Sequence, residues 1–387
     1  MNSDFHYYAT YCAATLAGYK PEECVVISTA DQLVDHCTRP FLSKVDGPDS
    51  AATTQQMVEM ANAPTDIIGL QDITRIWASF HFLPRDLKAD PRRHCGAGYR
   101  NKYRLICGPN GPLLEETVRL AKDKSLPAVG IAMHVLADTW AHQYFAGTPS
   151  QVINSTNFYF YERVAPDAPW RPVTFGHNAL VPDNPETGVY TNSLASGSEK
   201  SIMNLGHGRA GHLPDYSFMV YKYLPAWGRY EEVIKDNPKE FAHAFAQMIT
   251  AMKYLRGETE EFHRETYDWE AMAPYEEEIR SILTRRQLRA AEDWKALGEK
   301  LSGQEIPEYN IEGWEKEYLD APKDKKDDTV LGKFFLGALA QKSMVTHAIY
   351  ASGNPLAGKS IEYEKHGFHG IRDFMALIRQ RNGGEQS

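Results

Sequence analysis

The spacing of apolar and polar positions predicts a mainly helical, all-α chain. Residues 5–17 (FHYYATYCAATLA) predict a helix that Gly18 closes as a C-cap. Pro21 sits where a first helical turn tolerates proline, so PEECVVISTADQLVDHC over 21–37 predicts a second helix. Residues 39–50, rich in Pro, Gly, Asp and Ser, predict a loop, and 51–62 predict a short polar helix stopped near Pro64. The stretch 84–112 is irregular, and LLEETVRLAKD returns to helix. PAVGIAMHVLADTWAHQYF over 127–145, ended by Gly147, is apolar almost all round and predicts a central buried helix. Residues 148–215 are turn-rich, with aromatic residues clustered in NFYFYERV, and predict a long irregular excursion with a hairpin. Helices return over 216–225, 238–256, 275–300 and 329–351, with a charged surface loop at 320–328. A last helix over 370–381 precedes GGEQS, which predicts a disordered end. The pattern reads as one domain over 1–387, with the insertion at about 148–215 and a C-terminal helical part over 216–381.

Composition narrows the classes. The chain has 387 residues, 42% hydrophobic and 24% charged, enough to bury a substantial core without disulfide or metal staples. It lacks the long uncharged apolar run of a transmembrane helix. MNSDFHYYATYC has no basic n-region and no apolar h-region, so no leader is visible and a cytoplasmic location is expected. The five cysteines form no CxxC pair, which argues for reduced thiols rather than a four-cysteine zinc site or a disulfide framework. A net charge of -9 argues against general nucleic-acid binding.

The candidate chemistry lies in His and Asp. His134, Asp138 and His142 follow at four-residue spacing in the apolar central helix. At about 100° per residue they fall on one face. Three ionisable groups on an apolar stripe are costly unless something pairs them. A divalent ion bound by imidazole and carboxylate would do so, and so would a buried hydrogen-bonded network without metal. Near the start, Asp4 and His6 open the first helix, where Asp4 is a ligand candidate or simply an N-cap. On the second helix Asp31 and Asp35 share a face with no Lys or Arg between Val25 and Thr38, and Asp35 is the stronger ligand candidate. His81 lies between Phe80 and Phe82, as a ligand or as a core histidine. The glycine-rich GHGRAGHLPD carries His207, His212 and Asp215, a ligand set or a polar loop. GNPLAGKS over 353–360 matches the letters of a phosphate-binding loop, but no strand precedes it.

These pieces, in this order, resemble the zinc-dependent phospholipase C and single-strand nuclease superfamily. The closer likeness is to a microbial family of that general type, marked by D-F-H-Y, a V-D-[DH] helix, F-H-F-L-P, H-x-x-A-D-T-x-A-H and a later G-H followed by P-D. All five occur here within residues 4–215. The resemblance implies an all-helical bundle of phospholipase C type holding two or three zinc ions on His and Asp ligands. Carried over, these are Asp4, His6, Asp35, His81, His134, Asp138, His142 and His207, with His212 and Asp215 as alternatives at the last position. Two departures stand out. The secreted phospholipases use a mature N-terminal amine as a ligand, and Asp4 is the expected substitute in a Met-initiated chain. Their last pair is H-x3-E, whereas Gly211 follows His207 at that spacing.

The function expected is a metal-dependent hydrolase of a phosphoester or related small-molecule ester. A metal-activated hydroxide would be the nucleophile and Asp31 or Asp35 the general base. Aromatic residues in 156–161 are expected to line the pocket. Two other classes stay open: an HD-type di-iron oxygenase or metal-dependent lyase, since His and Asp also suit Fe or Mn, and a non-catalytic metal-binding helical protein.

Overall fold

The computed structural model describes residues 1–55, 67–91, 94–154, 156, 159–176, 181–192, 206–228 and 231–358. The expected helix 370–381, the GGEQS end and most of the expected helix 51–62 lie outside them.

The fold is mainly helical. A π-helical turn, Asp4–Ala9, runs into α1 (Thr10–Leu16). Next come α2 (Pro21–Leu33) and α3 (Ile67–Ile76), which continues into a second π-helical turn, Trp77–His81. The central helix is α4 (Leu126–Ala141), with Pro127 in its first turn and every residue from Pro127 to Ala141 buried. It packs against α2, α5 (Asn237–Leu255) and α7 (Val330–Ala351), while α6 (Ala291–Ser302) closes over α1 and the first π-turn. Gly130 makes the α2–α4 approach possible. A Cβ there would lie 2.3 Å from the Ile27 carbonyl oxygen and 2.8 Å from the Asp31 nitrogen. The closest point of the two helices therefore lies beside Asp31 and one turn before His134.

The excursion carries short strands. β1 (Tyr161–Glu162) pairs antiparallel with β2 (Arg171–Pro172) and with β5 (Val220–Tyr223), and β5 pairs antiparallel with β6 (Val233–Asp236). β3 (Thr174–Gly176) and β4 (Val189–Thr191) form a parallel pair. A second apolar cluster gathers Phe145, Phe160, Tyr190, Leu213, Met219, Tyr221 and Tyr223. Glu162 pins this region to the helices, for it is fully buried and accepts from Arg171, Arg286 and Tyr190.

Four sequence expectations are corrected. Over 216–225 the chain forms β5 rather than a helix: Tyr221 and Tyr223 are buried and alternate with half-buried Val220 and Lys222, a period of two. Within the expected loop 39–50, Arg39–Lys44 is helical. Pro40 sits in its first turn and the Thr38 hydroxyl accepts from the Phe41 N–H at 3.3 Å. Ala97–Tyr103 is helical inside the stretch read as irregular. The single helix expected over 275–300 is two, Glu276–Thr284 and α6, with Arg286 drawn from the break toward Glu162. No helix among the described residues is long and apolar enough to cross a membrane.

Candidate metal centre

Residues from five separated segments meet at the C-terminal half of α4. Asp138 lies at the middle. Its Oδ2 is 3.3 Å from His134 Nε2, 3.2 Å from His81 Nδ1 and 3.4 Å from His142 Nδ1. Its Oδ1 is 3.3 Å from His6 Nε2 and 2.5 Å from the amine of Met1. Asp35 Oδ1 closes one side at 3.8 Å from both His81 Nδ1 and His134 Nε2. On the other side, Asp215 Oδ1 lies 3.3 Å from His142 Nε2, 3.2 Å from His207 Nε2 and 3.6 Å from the Met1 amine.

Each buried histidine has one ring nitrogen committed to an acceptor behind it. His81 Nε2 donates to the Thr53 carbonyl at 3.0 Å, and His142 Nδ1 to the His81 carbonyl at 2.7 Å. The Nδ1 atoms of His6 and His134 lie 2.7 and 3.1 Å from Asp31 Oδ1. Ligand histidines are held this way, the second nitrogen fixing the tautomer and aiming the first. Two of these histidines, His6 and His81, stand on the π-helical turns, which occur often at functional sites.

The charge balance favours cations. Asp31 and Asp138 are fully buried, Asp215 nearly so, and Asp35 half-buried; among the described residues no Lys or Arg is ion-paired with any of them. Burial opposes ionisation of Asp138, yet His142, the Met1 amine and His134 hold its carboxyl well below the usual range. Burial opposes ionisation of Asp215 as well, and His207, with hydrogen bonds from His142 and His207, brings it well below that range. Burial likewise disfavours charge on His134, but Asp138 and Asp35 raise it to about 10. The Met1 amine follows the same logic and is raised to about 10. Burial takes His142 down to about 4, so near neutrality it is an uncharged donor.

Three donor groups of this kind can each hold a metal ion: Asp35, His81 and His134; His142, His207 and Asp215; and His6, Asp31 and His134. The first two open on a cavity of ≈ 290 Å³, lined also by Thr54, Gln55, Trp77, Phe82, Phe145 and Asn154.

Two expected ligands lie apart from these groups. Asp4 turns away and accepts from the Ala290 N–H at 2.6 Å, so it ties the first π-turn to the chain before α6. The Met1 amine stands at Asp138 instead, a position with no side-chain signature in the sequence. His212 is largely exposed and reaches Asp215 Oδ2 only at 3.6 Å. Asp31, expected as a candidate base, is fully buried behind His6 and His134 and does not line the cavity. Among the described residues the aromatic wall is Trp77, Phe82 and Phe145; of the expected stretch 156–161, Phe160 is buried in the second apolar cluster, and 157–158 lie outside the described residues.

Sequence reasoning also missed Asn154. Its buried side chain accepts from the Ala146 N–H at 2.9 Å and donates to the carbonyls of Ala146 and Thr148 at 2.8 and 2.7 Å. Its own carbonyl accepts from Gly206, whose φ of 53° turns the chain into His207–Ala210. Asn154 thus joins the segment after α4 to the loop that carries His207.

No curated protein and no solved structure matches the chain. A family model described as a family of unknown function (DUF6765) matches residues 1–349, and the chain belongs to that family.

Proposed function

We propose that the protein is a metal-dependent hydrolase of a small phosphoester, with zinc as the physiological metal. One observation carries this reading: imidazole nitrogens, each aimed by an acceptor behind it, converge with ionised carboxylates beside a cavity. Asp35, His81, His134 and Asp138 would hold one ion. His142, His207 and Asp215 would hold a second. His6 Nε2, Asp138 Oδ1 and the deprotonated Met1 amine offer a third position. Closed structural zinc sites take four protein ligands, whereas catalytic sites keep a position open. The second group supplies three side chains and faces the cavity, which supports a catalytic role.

Bound there, the ions would supply a hydroxide near neutral pH and neutralise phosphate oxygens. The chain's own residues do the rest. Asp35, half-buried and lining the cavity, is placed to accept a proton from an attacking water. Trp77, Phe82 and Phe145 exclude water and give the apolar part of a substrate a surface. Among the described residues no Lys or Arg lines the cavity, which supports neutralisation of the phosphate by ions. The order His6, Asp35, His81, His134, Asp138, His142 along the chain supports a bundle of the phospholipase C and single-strand nuclease type.

The test uses protein purified without a polyhistidine tag. Plasma mass spectrometry should find at least two zinc ions per chain. Bis-p-nitrophenyl phosphate should be turned over, with activity lost on chelation and restored by zinc. Absence of stoichiometric metal, or iron with oxygen uptake and no phosphodiester turnover, would overturn the reading.

A further inference from the structure

Asp31 sits behind the cluster rather than in it, and all of its acceptor capacity faces inward. Its Oδ1 is shared by two imidazoles, His6 Nδ1 at 2.7 Å and His134 Nδ1 at 3.1 Å. Its Oδ2 accepts from the Thr10 hydroxyl at 2.6 Å. Its backbone carbonyl lies 3.0 Å from His134 Nδ1 as well. The two rings stack, with centroids 3.9 Å apart and planes 17° from parallel. Their Nε2 atoms face opposite oxygens of Asp138, His6 toward Oδ1 and His134 toward Oδ2, each at 3.3 Å. His6 Nε2 is buried and has no hydrogen-bond partner of its own.

We infer that Asp31 is a positioning residue shared by two metal positions: one carboxylate fixes the Nδ1–H tautomer of both His6 and His134, so that their Nε2 atoms serve different ions on the two sides of Asp138. This inference rests on the proposed metal centre and deepens it. A carboxylate behind a ligand histidine ordinarily serves one ring; here a single oxygen serves two, from α2, to a ring on the first π-turn and a ring on α4. The chemistry follows from the donor count. A carboxylate oxygen can only accept, so each Nδ1 keeps its proton, and Nε2 is the nitrogen left to bind an ion, giving up its proton where it carries one. The arrangement depends on the close α2–α4 crossing at Gly130, which brings the Asp31 backbone within reach of His134.

The inference separates Asp31 from a ligand. Loss of a ligand removes one ion; loss of a shared orienting group weakens two. Zinc titration of the full chain, followed by competition with a chromophoric chelator, resolves the sites by affinity. Asp31→Ala should weaken two ions together, each by about 10–100-fold, with the remaining ion unchanged. His6→Ala should weaken only one. Thr10→Val, which removes the hydroxyl on Oδ2 and keeps both rings, gives a smaller loss in the same two ions, and it serves if Asp31→Ala fails to fold. Long-range 15N–1H spectra of the zinc-loaded protein read the tautomers directly. Both His6 and His134 should carry their proton on Nδ1, and Asp31→Ala should broaden or shift both sets of signals. Loss of one ion only, unchanged affinities, or a proton on Nε2 of either ring would overturn the inference. If the unmodified protein binds no zinc at all, it is the metal centre itself that fails.

Discussion

The two sides of the cluster are built differently. On one side, His134 and Asp138 come from α4 and Asp35 from the turn just after α2, and His6 and His81 from helical turns packed against them. Backbone hydrogen bonds and a buried apolar interior fix those side chains. On the other side, His207 and Asp215 come from a four-residue helix and turns, held by Asn154 and by two glycines at positive φ, Gly206 and Gly211. The first side takes its precision from packing, and the second from a few hydrogen bonds to backbone. Metal affinity should therefore be robust on the helical side and easily tuned on the loop side.

The largest break comes at Asp138, whose carboxylate lies within 3.4 Å of His6, His81, His134 and His142. Asp138→Ala should remove most bound metal, and reduce occupancy far more than Asp31→Ala; equal occupancy in the two variants, by plasma mass spectrometry, would contradict the assigned roles. Next is Gly130→Ala. Its methyl would press on the Ile27 and Asp31 backbone, which cannot yield as a side-chain tip would. Overpacking of this kind costs about 1–3 kcal/mol, to be read as a lower Tm and weaker metal binding on the helical side.

Asn154→Ala should do the reverse. It leaves buried groups of Ala146 and Thr148 unpaired at a cost of about 1–3 kcal/mol. Affinity should fall at the ion of His142, His207 and Asp215, while the ion of His81 and His134 is retained; loss of both, in the zinc titration, would merge the two sides. The smallest effect belongs to His212→Ala, which should leave metal stoichiometry intact and stability within about 0.5 kcal/mol.

Acidity sharpens the comparison further. His134 is raised from 6.5 to about 10, so its stabilisation of the metal-free protein is complete below pH 6.5 and is lost as pH rises through 10. His142 is lowered from 6.5 to about 4, so its contribution is present above pH 6.5 and is lost as pH falls through 4. These two groups together should put the Tm maximum of the chelated protein near pH 6.5, with the alkaline decline set by the helical side. Metal uptake near pH 7.5 should release protons from His134 and the Met1 amine, measurable by calorimetry in buffers of different ionisation enthalpy. A flat chelated Tm from pH 6 to 10 would contradict this.

What the sequence made legible tracks the same division. The four-residue spacing of His134, Asp138 and His142 on an apolar helix is a periodic signal, and the structure puts all three in the cluster. Asp4 shared a motif with His6, but one turn of π-helix sends its carboxylate to Ala290 instead. The Met1 amine is backbone, and no residue pattern announces it. Asn154 works through its contacts with segments on either side, which a linear reading does not join. The strand at 220–223 is not legible because a short apolar run such as SFMVYKYL fits either helix or strand. The break between Thr284 and α6 depends on Arg286 meeting Glu162, a contact made only in three dimensions.

The most direct test of the central claim is anomalous diffraction at the zinc edge, on crystals of the chain grown with zinc. The account predicts one peak bounded by Asp35, His81, His134 and Asp138 and another bounded by His142, His207 and Asp215. An absence of peaks there, with these rings and carboxylates bonded only to one another, would contradict it.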